Sequence, residues 1–353
     1  MKLLYNKPME NKKKDLTNRL LSWYDDHARI LPWRQDPSPY RVWVSEIMLQ
    51  QTRVEAVKPF FERFMAALPK LCDLAEADED TLHKLWEGLG YYNRVKNMKK
   101  AAMLCMQHYD GQLPDTYEEL LKLPGIGPYS AGAIASIAYR VCVPAVDGTV
   151  LRVFSRITAS YDDILKEQTK KKFQKLLVEY LPEDRVDAFN QAVMEIGAMI
   201  CVPNAVPKCT LCPCQTNCLA HQQGLTKELP VKTAKKQRVI EHKDVLVIVH
   251  QHQVLLEQRR DTGLLAGLYG FPMFDVPEEA EVFLTDYVIQ QTIPLRKAKH
   301  IFTHKEWHMQ GTLVIVKNQQ KGIWADAAQI KDQFAIPTAF QAYKEAFLQW
   351  VQD

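Results

Sequence analysis

A cluster of five cysteines in the second half of the chain constrains the fold more than any other feature. Eight cysteines occur among the 353 residues, and five of them fall between Cys201 and Cys218. The first residues lack the apolar core of a signal peptide, so we expect a cytosolic protein. In a reducing cytosol, clustered thiols indicate a metal site rather than disulfides. The cluster therefore predicts a metal centre within a folded domain.

The spacing of the cysteines indicates which kind of metal centre they could hold. Cys201, Cys209, Cys212 and Cys218 are separated by seven, two and five residues. Four thiolates on a compact loop can hold a tetrahedral zinc ion or a cuboidal 4Fe–4S cluster. Structural zinc sites usually pair two CxxC units, and only one such unit is present here. The uneven spacing favours iron–sulfur over zinc, with Cys214 as an additional candidate ligand.

The chain divides into an all-α half and an α+β half. Residues 1–220 show apolar residues at helical spacing, broken by prolines, and no alternating strand pattern of useful length. Residues 221–243 are polar and basic with a proline in the middle, and we interpret them as a linker. Residues 244–353 begin with a hairpin signature, continue with a predicted strand at 311–316 and close with a helix at 339–351. A chain of 353 residues suits two domains.

Residues 116–139 show the pattern of a helix, a tight hairpin and a second helix. Gly125 and Gly127 provide the permissive backbone that such a hairpin needs. Pro128 can begin the second helix and leave its free N–H groups facing an anion. We interpret the hairpin as a DNA-phosphate contact made by main-chain donors, which does not read sequence. A glycine-rich turn between two core helices is the alternative.

Two carboxylates stand in unlike surroundings. Glu46 is the only charged residue between Val42 and Leu49. A carboxyl group in apolar surroundings tends to stay protonated near neutral pH, as a general acid must. Asp147 precedes a predicted helix, where a lone aspartate is usually an N-cap. A buried, ion-paired structural residue is the corresponding alternative for Glu46.

The motifs around these residues resemble one family. The blocks WVSEIMLQQT, LPGIGPYSAGAIAS, VPAVDGT and KCTLCPCQTNC are similar to those of the MutY family of adenine DNA glycosylases, in the endonuclease III superfamily. The resemblance implies a helix-hairpin-helix glycosylase domain with a 4Fe–4S loop, followed by a Nudix-like domain for lesion recognition. It also implies excision of adenine opposite 8-oxoguanine or guanine in duplex DNA. The glutamate spacing of an active Nudix box is missing, so we expect that fold without its hydrolase activity.

The resemblance assigns the chemistry to particular residues. It implies that Glu46 protonates adenine at N7 and that Asp147 stabilises the sugar cation or traps it covalently, a division of tasks open to two carboxylates in unlike environments. Tyr129 replaces the Schiff-base lysine of the bifunctional enzymes, so strand cleavage should be weak or absent, and Tyr129 should hydrogen-bond near Asp147. The implied cluster ligands are Cys201, Cys209, Cys212 and Cys218, where the family usually has six residues between the first two cysteines.

The remaining DNA contacts also follow from the resemblance. The segment that matches the adenine pocket contributes Arg29, Leu31, Trp33 and Arg34. Of these, Arg29 is expected to contact the flipped base. Gln51 and Tyr91 match residues that insert into the duplex and offset part of the few kcal/mol that base flipping costs; without the family, Tyr91 would be taken as a core aromatic. Phe302, Thr303 and His304 match the lesion-reading loop, with threonine in place of the common serine.

Two other functions remain open. One is an endonuclease III-like glycosylase-lyase acting on oxidised pyrimidines, which Tyr129 and the C-terminal domain disfavour. The other is a non-catalytic iron–sulfur protein that binds damaged DNA, which the presence of both Glu46 and Asp147 disfavours. A net charge of +3 does not by itself mark a nucleic-acid-binding protein. We expect a monomer without a membrane association, located in the bacterial cytosol with the nucleoid.

Overall fold

The computed structural model describes residues 7–233 and 237–352. The described residues form two compact units. The first unit takes in the chain up to residue 76 together with residues 97–233, and the second combines residues 77–96 with residues 237–352. The predicted two-part organisation is therefore present, but a short internal segment belongs with the C-terminal unit.

The chain is helical throughout residues 7–222, with no strand among its described residues there. The α-helices of this part are Lys7–His27 (α1), Pro32–Gln35 (α2), Pro39–Leu49 (α3), Val54–Ala67 (α4), Leu71–Glu76 (α5), Glu79–Leu85 (α6), Asn93–His108 (α7), Tyr117–Leu120 (α8), Pro128–Tyr139 (α9), Gly148–Ile157 (α10), Glu167–Val178 (α11), Val186–Met199 (α12) and Leu219–Gln222 (α13). Short 3₁₀ turns occupy Cys209–Leu211 and Gln215–Asn217. The all-α prediction for this half is confirmed.

Close helix packing brings the site-bearing segments together. Leu20, Phe154 and Phe189, from α1, α10 and α12, belong to one buried apolar cluster of the first unit. Two glycines, Gly132 on α9 and Gly197 on α12, allow these helices to pack closely against the segment that carries Asp147. A Cβ on Gly132 would lie 2.5 Å from the Pro144 carbonyl oxygen, and one on Gly197 would lie 2.1 Å from the Thr149 methyl carbon. Larger residues at these positions would push α9 and α12 away from the segment that carries Asp147.

The second unit contains a mixed sheet. Its strands are Val239–His250 (β1), Gln253–Gln258 (β2), Tyr269–Gly270 (β3), Met273–Phe274 (β4), Ile289–Ile301 (β5), Lys305–Val316 (β6) and Ile323–Asp326 (β7). Its further α-helices are Pro277–Leu284 (α14), Ala327–Asp332 (α15) and Gln341–Gln352 (α16), with a 3₁₀ turn at Thr338–Phe340. The sheet order is β3-β2-β1-β6-β5, with β4 also paired to β1 and β7 to β2. Strand β1 runs parallel to β6, whereas β1–β2 and β5–β6 are antiparallel.

Strand β1 has apolar side chains on both faces because both faces are covered. Val245, Val247 and Val249 belong to a cluster that includes residues of α16, while Leu246 and Ile248 belong to the cluster that includes α14. This continuous apolar run is typical of a strand buried on both sides. The predicted hairpin is the β1–β2 pair, so the α+β prediction for this half is confirmed.

The boundaries differ from those predicted in two places. Regular structure extends into both ends of the predicted linker 221–243, since α13 ends at Gln222 and β1 begins at Val239. Residues 77–96 contact the C-terminal residues: Lys84 Nζ donates to the carbonyl oxygens of Ile330 and Phe334, each at 3.1 Å. None of the described helices is both long and apolar enough to span a membrane.

Candidate active site

One large cavity in the helical unit collects most of the predicted site residues. Its volume is about 1060 Å³. The predicted residues that line it are Arg29, Leu31, Trp33, Arg34, Glu46, Gln51, Gly125, Gly127, Tyr129 and Asp147. They come from segments up to 118 residues apart in sequence (29 to 147), so the fold rather than local sequence assembles them. A concave site of this kind with convergent polar groups is the expected location for chemistry.

Glu46 lies on α3, which is buried from Val42 to Met48. Its side chain is only 5% exposed and accepts a hydrogen bond from the Tyr129 hydroxyl. Burial raises the pKa of Glu46 from 4.5 to about 7; the nearby charge of Asp147 adds to the rise, and the hydrogen bond from Tyr129 opposes it. A substantial fraction of Glu46 is therefore protonated at neutral pH, as a general acid requires.

Asp147 is the N-cap of α10 and also faces the cavity. One of its carboxylate oxygens accepts from the backbone N–H groups of Thr149, at 2.9 Å, and Val150, at 2.7 Å. Burial raises the pKa of Asp147 above its usual value, and the hydrogen bonds from Val150 and Thr149 oppose that shift. The capping role and the catalytic role, which the sequence presented as alternatives, are compatible here. The positive end of α10 favours the ionised carboxylate.

Tyr129 lies in the first turn of α9 and donates its hydroxyl hydrogen to Glu46. The sequence led us to expect this hydrogen bond beside Asp147, and the structure directs it to the other carboxylate instead because α9 packs against α3. Burial raises the pKa of Tyr129 well above its usual value, so the hydroxyl remains a donor. It therefore fixes the orientation of the Glu46 carboxyl group.

Sequence reasoning missed Glu195, which closes one side of the cavity. It lies on α12, is 1% exposed and accepts from Arg29 Nε at 2.7 Å and Arg29 Nη2 at 2.8 Å. Arg34 Nη2 donates to it at 2.8 Å. Burial alone would raise the pKa of Glu195, but the two arginines outweigh it and hold that pKa below the usual value. Its local signal is an isolated charge in the apolar run AVMEIGAMI.

The other predicted residues at this cavity differ in their exposure to solvent. Leu31 and Trp33 are buried, and the Trp33 ring packs edge-on against Phe61 with centroids 5.4 Å apart. Gln51 is exposed directly after α3 and has a left-handed backbone with φ of 60°. The cavity therefore has an apolar wall, an arginine–glutamate network and one projecting amide at its edge.

The hairpin between α8 and α9 has the geometry expected of an anion contact. Gly125 adopts φ of +78°, and a Cβ there would lie 2.8 Å from Asn97 Cβ, so glycine is required on both grounds. Gly127 is the N-cap of α9 and offers no side chain to its first turn. The N–H groups of that turn are thus available to an external acceptor such as a phosphate.

The cysteines line a second, small cavity in the helical unit. It is bordered by the four predicted ligands and Cys214, with Arg156 among its other lining residues. Arg156 Nη1 lies 3.1 Å from Cys201 Sγ. Among the described residues, no group of three or more His, Cys, Asp or Glu side chains is arranged to hold a metal ion. The fold therefore brings these five cysteine side chains together around one small cavity.

The seven-residue interval after Cys201 is accommodated at the surface. Residues 203–206 are exposed, and the Lys208 N–H donates to the Ile200 carbonyl at 3.0 Å, which closes the loop beside Cys201. Cys214 is only 1% exposed and packs in the apolar cluster of the unit. Most of the seven-residue interval between Cys201 and Cys209 therefore lies in an exposed turn.

The remaining predicted residues lie together in the second unit. Phe302, Thr303 and His304 form the turn between β5 and β6. The Phe302 ring packs edge-on against Trp307 at 4.7 Å between centroids. Thr303 and Tyr91 have their hydroxyl oxygens 3.3 Å apart, at a cavity of about 600 Å³. Tyr91 is 51% exposed, so it is not the core aromatic that local sequence alone would suggest.

Comparisons with known proteins identify a family for each of the two parts of the chain. Residues 44–179 match the model of the HhH-GPD superfamily base excision DNA repair proteins, and residues 244–346 match the NUDIX domain. The chain is 33% identical to an adenine DNA glycosylase of Buchnera aphidicola, in an alignment covering 93% of this chain and 97% of that protein. It is 36% identical to the adenine DNA glycosylase of Mus musculus, covering 72% of this chain and 59% of the mouse protein.

Solved structures show the same helical fold. A thermostable thymine-DNA glycosylase superimposes with a TM-score of 0.54 at 25% identity, covering 61% of this chain and 99% of that one. An endonuclease III–DNA covalent intermediate superimposes with a TM-score of 0.53 at 22% identity, covering 61% of this chain and 98% of that one. The extent of the sequence identity and the two matching domain models show that this chain belongs to the adenine DNA glycosylase family, with a helix-hairpin-helix glycosylase domain and a Nudix-like domain.

Proposed function

We propose that this DNA glycosylase excises adenine paired with 8-oxoguanine or guanine by using Glu46 as general acid and Asp147 as the carboxylate facing the sugar. The observation that carries the proposal is the buried Glu46 carboxyl with its pKa of about 7, held by Tyr129 in the same cavity as Asp147. Two carboxyl groups with different environments can take different protonation states at one pH.

In this proposal, excision of the base combines a proton transfer, the cleavage of one bond and the addition of water. Glu46 donates its proton to N7 of adenine, the C1′–N9 bond breaks, and its electron pair leaves with the base. The sugar becomes an oxocarbenium ion, which the negative charge of Asp147 stabilises or captures as a covalent ester. Water then adds at C1′, and the proton it loses returns to the Glu46 carboxylate. The products are free adenine and an abasic site.

We propose that the flipped adenine lies between the apolar wall and the arginine–glutamate network. Leu31 and Trp33 would contact its faces, and Arg29 would contact its edge. Glu195 keeps Arg29 and Arg34 ordered and balances part of their charge, since a buried ionised group is otherwise unfavourable. This arrangement selects a planar base with hydrogen-bonding edges.

We propose that a monomer binds the DNA duplex through three elements, namely the hairpin at Gly125 and Gly127, Gln51, and Tyr91. Main-chain N–H groups near Gly125 and Gly127 would bind a phosphate. Gln51 and Tyr91, both exposed and both with left-handed backbone, would insert beside the flipped nucleotide. Insertion replaces part of the stacking lost on flipping, which costs a few kcal/mol.

We propose that Phe302, Thr303 and His304 read the 8-oxoguanine base. Thr303→Ala removes an exposed hydroxyl and leaves the β5–β6 turn intact, so the preference for adenine opposite 8-oxoguanine over adenine opposite guanine should fall by about tenfold, the loss expected from one hydrogen bond. Single-turnover rates on the two duplexes measure it. Ser160→Ala, a polar exchange in the other unit, is the control, and an unchanged preference in Thr303→Ala would contradict the role.

We propose that Cys201, Cys209, Cys212 and Cys218 hold a 4Fe–4S cluster. The cluster, when bound, cross-links this loop and takes no part in the proton transfers described above. Cys201→Ser should lose most of its iron and its absorbance near 400 nm, a region typical of such clusters. Cys214→Ala is the matched control and should retain both. The reverse result, or stoichiometric zinc in the purified protein, would contradict the assignment.

We propose that the enzyme is monofunctional because Tyr129 offers no amine. On a duplex with adenine opposite 8-oxoguanine, the protein should give strand breaks only after hot alkali. Tyr129→Lys places an amine beside the sugar carbon, so borohydride should trap a protein–DNA adduct in this variant and nicking should no longer require alkali. Tyr129→Phe is the control and should give no adduct. Efficient trapping by the unmodified protein would show that another lysine acts as nucleophile.

A further inference from the structure

The loop that carries Tyr91 has an uncommon backbone conformation. Gly88 and Gly90 have φ of 101° and 69°, and Tyr91 has φ of 50°. The left-handed region is unfavourable for a residue with a Cβ, so surrounding contacts must hold Tyr91 there. Its ring is half exposed and cannot be fixed by core packing alone. The conformation therefore requires a partner close to the loop.

Trp86 Nε1 donates to the Gly90 carbonyl oxygen at 3.1 Å, and Arg94, at the start of α7, makes further contacts with the loop. Its Nη2 donates to the carbonyl oxygens of Leu89, at 3.1 Å, and Gly90, at 3.0 Å. Its guanidinium carbon lies 5.6 Å from the centre of the Tyr91 ring and 5.3 Å from that of Trp86. One planar group thus binds two consecutive carbonyls of the loop and also contacts the ring that follows them.

The same geometry distinguishes Arg94 from an ordinary phosphate-binding arginine. Its side chain is half-buried, its guanidinium group lies close to two aromatic rings, and one terminal nitrogen already donates to the loop. Lysine cannot reproduce the contacts with the two rings, because an ammonium group has no planar face that stacks on an aromatic ring. The position is therefore specific for arginine.

We infer that Arg94 is a positioning residue that holds Tyr91 in the conformation in which its ring inserts into DNA. The inference rests on the proposed role of Tyr91 in insertion. Arg94 acts through Tyr91 and does not contact the reacting atoms. Without Arg94, the loop from Gly88 to Gly90 loses two hydrogen bonds, and Tyr91 is free to leave its left-handed conformation before DNA binds.

A double-mutant cycle in the full-length protein tests this inference. The variants are Arg94→Met, Tyr91→Ala and the two combined, with Arg94→Lys as the conservative exchange. Arg19→Met, which removes an exposed helical arginine paired with Asp15, is the control. The probe is a duplex with an uncleavable 2′-fluoro adenine nucleotide opposite 8-oxoguanine, and Kd is measured. Single-turnover excision on the cleavable duplex gives the active fraction as an amplitude, separately from the rate.

The expected result is non-additivity. Tyr91→Ala and Arg94→Met should each weaken binding by about tenfold, as loss of one stacking contact does. The combined variant should be within about twofold of Tyr91→Ala, because residues that act through one another do not add. Arg94→Lys should resemble Arg94→Met, Arg19→Met should resemble the unmodified protein, and single-turnover amplitudes should be unchanged.

Three outcomes overturn the inference. A combined loss of about a hundredfold would show that Arg94 acts independently of Tyr91. A lower amplitude with unchanged Kd and rate would show a purely structural role. If Arg94→Met binds DNA like the unmodified protein, Arg94 does not position Tyr91. A loss of binding in Tyr91→Ala would still support the proposed insertion of Tyr91. If Tyr91→Ala itself has no effect, the proposed insertion fails as well, so the two failures are distinguishable.

Discussion

Replacing Glu46 with glutamine should slow adenine excision by about a hundredfold to ten-thousandfold while duplex binding survives. Glutamine keeps the shape of the side chain and can still accept the hydrogen bond from Tyr129, but it has no proton to transfer. Single-turnover excision and the Kd for an uncleavable duplex separate the two effects. Glu55→Gln, an exposed carboxylate lining the same cavity, is the control. A loss below about tenfold would argue against the general-acid role.

The same substitution should stabilise the folded protein above neutral pH. The pKa of Glu46 rises from 4.5 to about 7 on folding. Below pH 4.5 both states are protonated, and between 4.5 and 7 the unfolded chain releases its proton first, so folding loses stability as pH rises. The full penalty, present above pH 7, is about 3 kcal/mol. Glu46→Gln should therefore melt at a higher temperature than the unmodified protein at pH 8 and at a similar temperature at pH 4.

Asp147→Asn is expected to have a comparably large effect on the reaction. Asparagine is as good an N-cap as aspartate, so the hydrogen bonds to the Thr149 and Val150 N–H groups and the start of α10 should persist. What is lost is the negative charge that faces the sugar cation. Electrostatic groups aimed at developing charge contribute about a hundredfold to a thousandfold, and excision should fall by at least that factor.

The control for Asp147→Asn is another capping aspartate. Asp78 is the N-cap of α6 and accepts from the Thr81 N–H at 2.7 Å, but it is exposed and does not line the active-site cavity. Asp78→Asn should leave excision unchanged and alter stability only slightly. Equal, small effects of the two substitutions on excision would mean that Asp147 is a helix cap without a catalytic role.

Local sequence predicted the burial of Glu46 and the capping position of Asp147 because both environments are local, whereas their catalytic roles came from the resemblance to the family. Glu46 is the only charged residue between Val42 and Leu49, so the apolar residues on either side of it in α3 already indicate burial. Asp147 is recognisable at a helix start for the same reason. Glu195 differs, because what makes it part of the site is its pairing with Arg29 and Arg34, which are 166 and 161 residues away. No local pattern carries that information.

Local sequence also does not predict that residues 77–96 pack against the C-terminal residues of the second unit. Their composition resembles that of the neighbouring helices, yet Glu87 binds Lys344 at 2.9 Å and Lys84 binds carbonyls beyond residue 329. The position of Tyr91 beside Thr303 follows from these contacts rather than from either local sequence. The partner of Tyr129 was likewise decided by helix packing, which places its hydroxyl on Glu46.

The dependence of the single-turnover excision rate on pH tests the central claim most directly, because it reports the protonation state of Glu46 in the reacting complex. With a pKa of about 7, the protonated fraction falls by about fiftyfold between pH 7 and pH 9, and the slope approaches tenfold per pH unit above about pH 8. The rate on an adenine:8-oxoguanine duplex should therefore decline by that factor from pH 7 to 9, and the residual rate of Glu46→Gln should show no such decline. A rate that stays constant from pH 6 to 9, or a decline that persists in Glu46→Gln, would contradict the assignment of Glu46 as the general acid.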